Sequence, residues 1–297
     1  MVTNHIRPED AARVGSLTLL AEQIVEGFQS GLHRSPHKGF SVEFKQHRQY
    51  VPGDELRFVD WKVFGKSDKF FIREYEEETN LRCTVLLDQS GSMAYQGTTS
   101  SLSKFDYAVR LTACLGYLML QQQDAVGLIT FDDQVRHQLP PRSRPAHLSS
   151  LVEILSDIQP GAETDVAEAF KSAVPKIHRR SLVAIITDCF GDLTEFMHSL
   201  AQLRFRQHEI VIFQIWDRDE LEFPFTERSQ FESLEPGLDP MIIDPVHLRE
   251  SYLTELEQFR EDLKEHCFNN RVDLVPVVTD EPWADALAEY LAIRRAR

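Results

Sequence analysis

The chain has 297 residues, 42% of them hydrophobic, and a formal net charge of −15. That length carries one large domain or two ordinary ones with a sizeable core, and the acidic balance weighs against general binding to nucleic acid or to anionic membranes. No apolar run approaches the roughly 20 residues that span a bilayer, and Met1 to Gly15 mixes acids and bases in place of an apolar signal core, so a cytoplasmic protein is expected.

In chain order, Glu9 to Phe28 places Leu17, Leu19, Leu20, Ile24, Val25 and Phe28 near helical spacing, which predicts an amphipathic helix. Gly31 to Gly39 has loop composition, and Pro36 between His33 and His37 excludes helical metal-binding spacing. Phe40 to Tyr50 alternates apolar and polar residues like an edge or half-buried strand, and Pro52-Gly53-Asp54 signals a turn. Leu56 to Phe64 alternates aromatic and charged residues, and Phe70 to Glu78 is strand-like until the acid run Glu76-Glu77-Glu78. Residues 1–80 are therefore expected to form a helix plus a small β-rich unit. Between Ser30 and Arg73 nine Lys and Arg face five acids, a local +4 that leaves −19 elsewhere. An intramolecular fit to the acidic remainder is the plain account of that asymmetry, and a contact face for an anionic partner is the alternative.

From Arg82 the pattern changes. Cys83 to Leu87 is an apolar and β-branched run that stops at Asp88, as a strand covered on both faces does. Phe105 to Gln121 has helical spacing, Ala125 to Phe131 and Gln134 to Leu139 read as strands, and Leu148 to Ile158 and Val166 to His178 read as helices. Ser181 to Thr187 is a strand ending at Asp188. A helix over Phe196 to Phe205 and a strand over Ile210 to Trp216 follow. A hairpin over Gln230 to Ile243 turns at Pro236-Gly237, and a helix from Val246 to about Cys267, a strand over Val272 to Val278 and a helix from Trp283 complete the chain. Strands alternating with helices predict an α/β domain over residues 81–297, a doubly wound, mainly parallel sheet with helices on both faces. Cys83, Cys114, Cys189 and Cys267 show no C-x-x-C spacing and are expected to be reduced packing residues.

Ligand sites of such sheets lie outside the carboxyl ends of the strands, where strand order reverses. Three loops are expected there, carrying Asp88, Ser90 and Ser92, then Thr164 before a helix, then Asp188. One or two carboxylates with several hydroxyls suit a hard divalent cation, which takes oxygen ligands and keeps some waters. Each residue also has a plainer account: Asp88 and the serines as turn formers, Thr164 as an N-cap, Asp188 as a turn residue. Their arrival at one sheet edge favours the metal reading. Of the neighbouring acids, Glu163 and Asp165 flank Thr164, with Asp165 expected to begin a helix, and Asp192 is expected to cap or turn.

Asp-x-Ser-x-Ser at 88 to 92, Thr164 and Asp188 resemble the metal-ion-dependent adhesion site of von Willebrand factor A domains. Glu43-Phe44, Arg48-x-Tyr50-x-Pro52-Gly53-Asp54, Arg57, Asp60-Trp61 and Arg73-Glu74-Tyr75-Glu76 resemble the signature of the bacterial family called domain of unknown function 58. The resemblance implies a von Willebrand factor A-like fold and a divalent ion, usually Mg²⁺ and otherwise Mn²⁺ or Ca²⁺. The ion would be held by the Ser90, Ser92 and Thr164 hydroxyls, with Asp88 and Asp188 acting directly or through water. It also implies a MoxR-type AAA+ ATPase as partner, in a chaperone-like or cofactor-insertion machine acting on a client protein. Many members of the family begin with membrane-spanning segments; none is read from these residues, so a membrane-tethered role is not expected to carry over.

The function expected is that of a non-enzymatic, metal-dependent adaptor that binds a partner's carboxylate. A metal-assisted, phosphatase-like hydrolase is the alternative. It is disfavoured because an aspartyl nucleophile at 88 would call for a second acid at position 90, where Ser90 stands, and because H-E-x-x-H, a phosphate-binding Gly-rich loop and G-x-S-x-G are all absent. Nucleic-acid binding through the basic 30–73 segment is less favoured still.

Overall fold

The computed structural model describes residues 17–22, 43–49, 61–67, 70–76, 81–161, 166–178, 180–231, 234, 241–282, 285, 286, 288 and 290. Two compact units divide the chain, Arg34–Leu81 and the combination of Met1–His33 with Arg82–Arg297.

In the smaller unit β1 (Glu43–Gln49) pairs antiparallel with β2 (Phe71–Glu76), with a register shift between Phe44 and Gln46. Between them lies α1 (Trp61–Ser67), a helix where the alternation of Leu56 to Phe64 suggested more β structure. The reason is visible in the rings. Trp61 and Phe64, three apart, share a helix face and both meet Phe70, at centroid distances of 6.4 and 4.4 Å, whereas a strand would point them to opposite sides. Asp54, Arg57 and Asp60, part of the family signature, lie outside the described residues.

The larger unit is built on a six-stranded sheet. Its strands are β3 (Arg82–Asp88), β4 (Ala125–Phe131), β5 (Val135–Arg142), β6 (Leu182–Thr187), β7 (Glu209–Trp216) and β10 (Asp273–Val278). Their spatial order is β10-β7-β6-β3-β4-β5, parallel throughout except for β5, which runs antiparallel to β4. Counted along the chain this is the 3-2-1-4-5-6 order of a doubly wound sheet, whose order reverses between β3 and β6. The central strands are buried along nearly their whole length because helices cover both faces. The edge strand β5 is mostly exposed and carries Pro140 and Pro141 where its register against β4 is irregular, a bulge on an edge strand being a place that tolerates proline. The register of β4 against β5 shifts at Gly127, where a Cβ would lie 2.7 Å from the Leu139 carbonyl oxygen.

The helices of this unit are α2 (Lys104–Gln121), α3 (His147–Asp157), α4 (Val166–Ala173), α5 (Leu193–Phe205), α6 (Arg218–Glu222) and α7 (Pro245–Asn269). Helix α2 is buried continuously from Leu111 to Leu120, as expected of a helix apolar nearly all round, and packs on α3 and on β3 and β4. On the other face Leu86, Ile129, Phe170, Ile185, Leu200 and Ile212 join a single core. Helix α4 ends at Ala173 and gives way to a 3₁₀ turn, Val174–Lys176, instead of continuing to His178. Pro175 is the cause, since the proline offers no N–H for the bond that would continue the α-helix and its ring crowds the preceding turn.

Residues 17–22 are helical, within the expected N-terminal helix. The hairpin strands are β8 (Ser229–Phe231) and β9 (Met241–Ile243), antiparallel, while Pro236 and Gly237 lie outside the described residues. All four cysteines are free and buried. Among the described residues no helix is long and apolar enough to cross a membrane.

Candidate metal centre

Because β3 and β6 are parallel neighbours, their carboxyl ends share one edge, and this edge is where the strand order reverses. Asp88 is the last residue of β3, and Asp188 follows Thr187, the last residue of β6. Asp88 Oδ1 accepts from the Ser90 backbone N–H at 2.9 Å, an Asx-type turn that folds the loop back on the strand end. Its Oδ2 accepts from the Thr187 hydroxyl at 2.6 Å. The Ser90 and Ser92 hydroxyl oxygens lie 3.1 Å apart. Asp88, Ser90 and Asp188 are 1%, 0% and 1% exposed, and Ser92 is half-buried.

Two further segments close on this loop. The Gly161 N–H donates to the Gln89 carbonyl, which brings the chain just before Thr164 against the loop. A Cβ on Gly91 would lie 2.5 Å from the Leu234 carbonyl oxygen and 3.3 Å from that of Gly161, so only glycine fits there. Thus Asp88, Ser90, Ser92 and Asp188 are brought together, while Thr164, with Glu163 and Asp165, lies outside the described residues. Asp192 caps α5, its Oδ1 accepting from the N–H groups of Thr194 and Glu195 at 2.8 and 3.1 Å.

Two residues that sequence reasoning missed complete the surroundings. The Lys104 ammonium donates to Asp188 Oδ2 at 2.8 Å and to Glu220 Oε1 at 2.6 Å. Lys104 is 1% exposed and lies beside the Phe190 ring at 5.0 Å and the Tyr95 ring at 6.0 Å. Asp188 Oδ1 accepts from the Phe190 N–H at 3.0 Å and Glu220 Oε2 from the Asp217 N–H at 2.8 Å. One signal in the sequence pointed to Lys104: a cation in the first turn of a helix opposes the helix dipole and calls for a carboxylate partner.

The electrostatics follow from this wiring. Burial, and then the charge of Asp188, push the Asp88 carboxyl up to about 7, against the opposing hydrogen bonds from Thr187 and Ser90. The carboxylates of Asp188 and Glu220 hold Lys104 firmly protonated, above the ordinary lysine range, although burial alone would lower it. Glu220 is raised by burial, with Lys104 opposing.

The donor set fits a divalent cation. Among the described residues no three His, Cys, Asp or Glu side chains gather as a metal cluster, so thiolate and imidazole chemistry is not offered. What converges is carboxylate and hydroxyl oxygen, the ligand type of Mg²⁺, Mn²⁺ and Ca²⁺. Asp188 and Glu220 share one buried ammonium, that of Lys104. The Asp88 carboxylate, whose charge burial and Asp188 disfavour, is the one that a bound cation would relieve.

Strand order, with an Asp-x-Ser-x-Ser loop at the switch point, defines a doubly wound α/β protein. The chain belongs to the family described as Protein of unknown function DUF58, which matches residues 46–262. An uncharacterized protein of Mycobacterium tuberculosis (strain ATCC 25618 / H37Rv) is 24% identical over 292 residues, spanning 97% of this chain and 90% of that protein. The uncharacterized protein YeaD of Bacillus subtilis (strain 168) is 22% identical over 167 residues, 56% of this chain and 39% of that one. Similar solved structures include the conserved hypothetical protein BatB from Bacteroides thetaiotaomicron, at 16% identity and TM-score 0.46, covering 73% of this chain and all of that one. The SpRpn10 VWA domain is similar at 11% identity and TM-score 0.42, covering 71% of this chain and 95% of that one.

Proposed function

We propose that this protein is a metal-dependent protein-binding adaptor that uses Asp88, Ser90, Ser92, Thr164 and Asp188 to hold a divalent ion, with Mg²⁺ the first choice and Mn²⁺ or Ca²⁺ the alternatives. The observation that carries this reading is the meeting, at the reversal of strand order, of two buried carboxylates with two serine hydroxyls 3.1 Å apart. Neutral hydroxyl ligands leave much of an ion's charge uncompensated, so the bound ion supplies an electrophilic position for a partner's carboxylate. The protein's own −15 opposes an acidic partner at long range. Salt screens that repulsion beyond about 8 Å, while the ion acts at contact.

The chain's residues perform binding rather than turnover in this reading. Ser90 stands where an aspartyl phosphotransfer site would carry its second acid. By the family resemblance the partner is a MoxR-type AAA+ ATPase, the pair acting on a client protein in chaperone-like assembly or maturation, in the cytoplasm. The test is a pull-down from native extract in Mg²⁺ against chelator, with wild type and Ser90→Ala/Ser92→Ala. A partner retained only with Mg²⁺ and only by wild type is the expected result. Retention that ignores both metal and serines would sink the adaptor mechanism.

A further inference from the structure

Lys104 is the feature of the site that the metal reading does not absorb. It is buried, and it takes Asp188 Oδ2 at 2.8 Å while the other oxygen of Asp188 is held by the Phe190 N–H at 3.0 Å. Both oxygens of Asp188 are thus engaged inside the protein. Asp88 differs: its oxygens accept from Ser90 N–H and from the Thr187 hydroxyl, both uncharged donors. Of the two carboxylates at the strand ends, one carries its own ammonium and the other does not. Glu220 fixes that assignment. It grips the same ammonium at 2.6 Å and is itself anchored by the Asp217 N–H, at the start of α6, with Tyr95 and Phe190 beside the lysine.

We propose that Lys104 is a positioning residue of the metal centre, a resident counter-ion that reserves Asp188 and so leaves the direct hold on the ion to Asp88 and the serine hydroxyls. The inference rests on the metal reading above and adds its regulation. An ion held by one carboxylate and neutral hydroxyls binds less tightly and keeps more of its charge than one held by two carboxylates. Lys104 therefore trades intrinsic metal affinity for attraction toward an incoming carboxylate. The second anion of the shell is left to come from the partner, and metal and partner bind cooperatively.

The test is a titration of the purified full chain with Mn²⁺ alone, read by the electron paramagnetic resonance of the free ion. Four proteins are compared: wild type, Ser90→Ala/Ser92→Ala, Glu220→Gln and Lys104→Met/Glu220→Gln. The last removes one positive and one negative charge together, so the net charge of the cluster is unchanged while Asp188 is released. Methionine packs acceptably against the two rings. Lys104→Met/Glu220→Gln is expected to bind Mn²⁺ roughly tenfold more tightly or better, the scale on which outer-shell partners tune metal sites. Glu220→Gln, which keeps the Lys104–Asp188 pair, is expected to bind no more tightly than wild type. A gain in affinity is not something a damaged fold produces.

If the folded double variant binds within about twofold of wild type, below that outer-shell scale, the role of Lys104 is overturned while the metal site stands. If wild type binds no Mn²⁺, or binds it independently of Ser90 and Ser92, the metal reading falls and this inference with it. Should the double variant be unstable without metal, the same proposal requires Mn²⁺ to raise its Tm by more than it raises that of wild type. An equal or smaller shift overturns it.

Discussion

The Thr187 hydroxyl donates to Asp88 Oδ2 at 2.6 Å, tying the last residue of β6 to the last residue of β3 across the point where the sheet's strand order reverses. The same hydroxyl accepts from the Cys189 N–H at 3.0 Å, so one side chain shapes both the acid of the first loop and the course of the second. Thr187→Val keeps the branched shape and removes both bonds. In chelator at pH 8 it is expected to lower unfolding stability by about 1.5–3 kcal/mol, the scale of a buried hydrogen bond to a charged group. Urea unfolding measures it, and a midpoint equal to wild type would show that this bond does not organise the site.

A second tie crosses from the opposite side. Asp217, buried at the end of β7, accepts from the Gly97 N–H and from the Thr279 hydroxyl, both at 3.0 Å, while Asp219 accepts from the Thr98 N–H at 2.8 Å. These bonds pin the loop between Ser92 and α2, whose first residue is Lys104. A Cβ on Gly97 would fall inside contact distance of Asp217 Oδ1. Gly97→Ala is expected to displace that carboxylate and cost about 1–3 kcal/mol by the usual scale of overpacking. The check is the melting temperature together with Mn²⁺ affinity. Thr98→Ala, which leaves the Asp217 bonds in place, should be milder than Gly97→Ala.

Much of this architecture was legible in the residues. Cys83 to Leu87, Ser181 to Thr187 and Ile210 to Trp216 are apolar runs too short for helices and lacking alternation, which only a sheet covered on both faces explains, and their ends placed Asp88 and Asp188 at one edge. What was not legible depends on convergence of distant parts. Lys104 meets Asp188 from 84 positions away and Glu220 from 116, and no local pattern encodes either meeting. The helix at Trp61 hid behind an accidental alternation of aromatic and charged residues. The early stop of α4 was available in Pro175, but the helical spacing around it masked the signal.

His208 gives the fold a pH dependence of known sign. It is fully buried between β6 and β7. Its Nδ1 accepts from the Ser181 N–H at 3.3 Å and its Nε2 finds no partner among the described residues. Burial holds its pKa below the ordinary 6.5. Between the folded and unfolded values the unfolded chain binds more protons, so the contribution of His208 is complete above pH 6.5 and is lost as pH falls below it. The His208 contribution to unfolding free energy should therefore decline from pH 7 to pH 5, against the opposite contribution of Asp88, whose folded carboxyl takes up a proton over that range. His208→Asn, whose side-chain oxygen can still accept from Ser181, should remove that part of the slope. His147, also lowered by burial, supplies another part. A slope unchanged by His208→Asn would exclude His208 as its source.

Metal should alter stability through Asp88 in a way that pH reveals. A ligand that binds only the folded state stabilises by RT ln(1 + [L]/Kd), about 2.7 kcal/mol at a hundred times Kd, so Mg²⁺ added to chelator-treated protein should raise Tm by several degrees. Asp88→Asn and Ser90→Ala/Ser92→Ala should each abolish the rise. Without metal the Asp88 carboxyl titrates near 7 because burial and Asp188 oppose its charge. A proton therefore competes with the ion below that value and is released when the ion binds. The Mg²⁺-induced shift should accordingly grow as pH rises from 6 to 8 and level off above. A shift of equal size at pH 6 and pH 8, or one that survives Asp88→Asn, would remove Asp88 from the metal's shell.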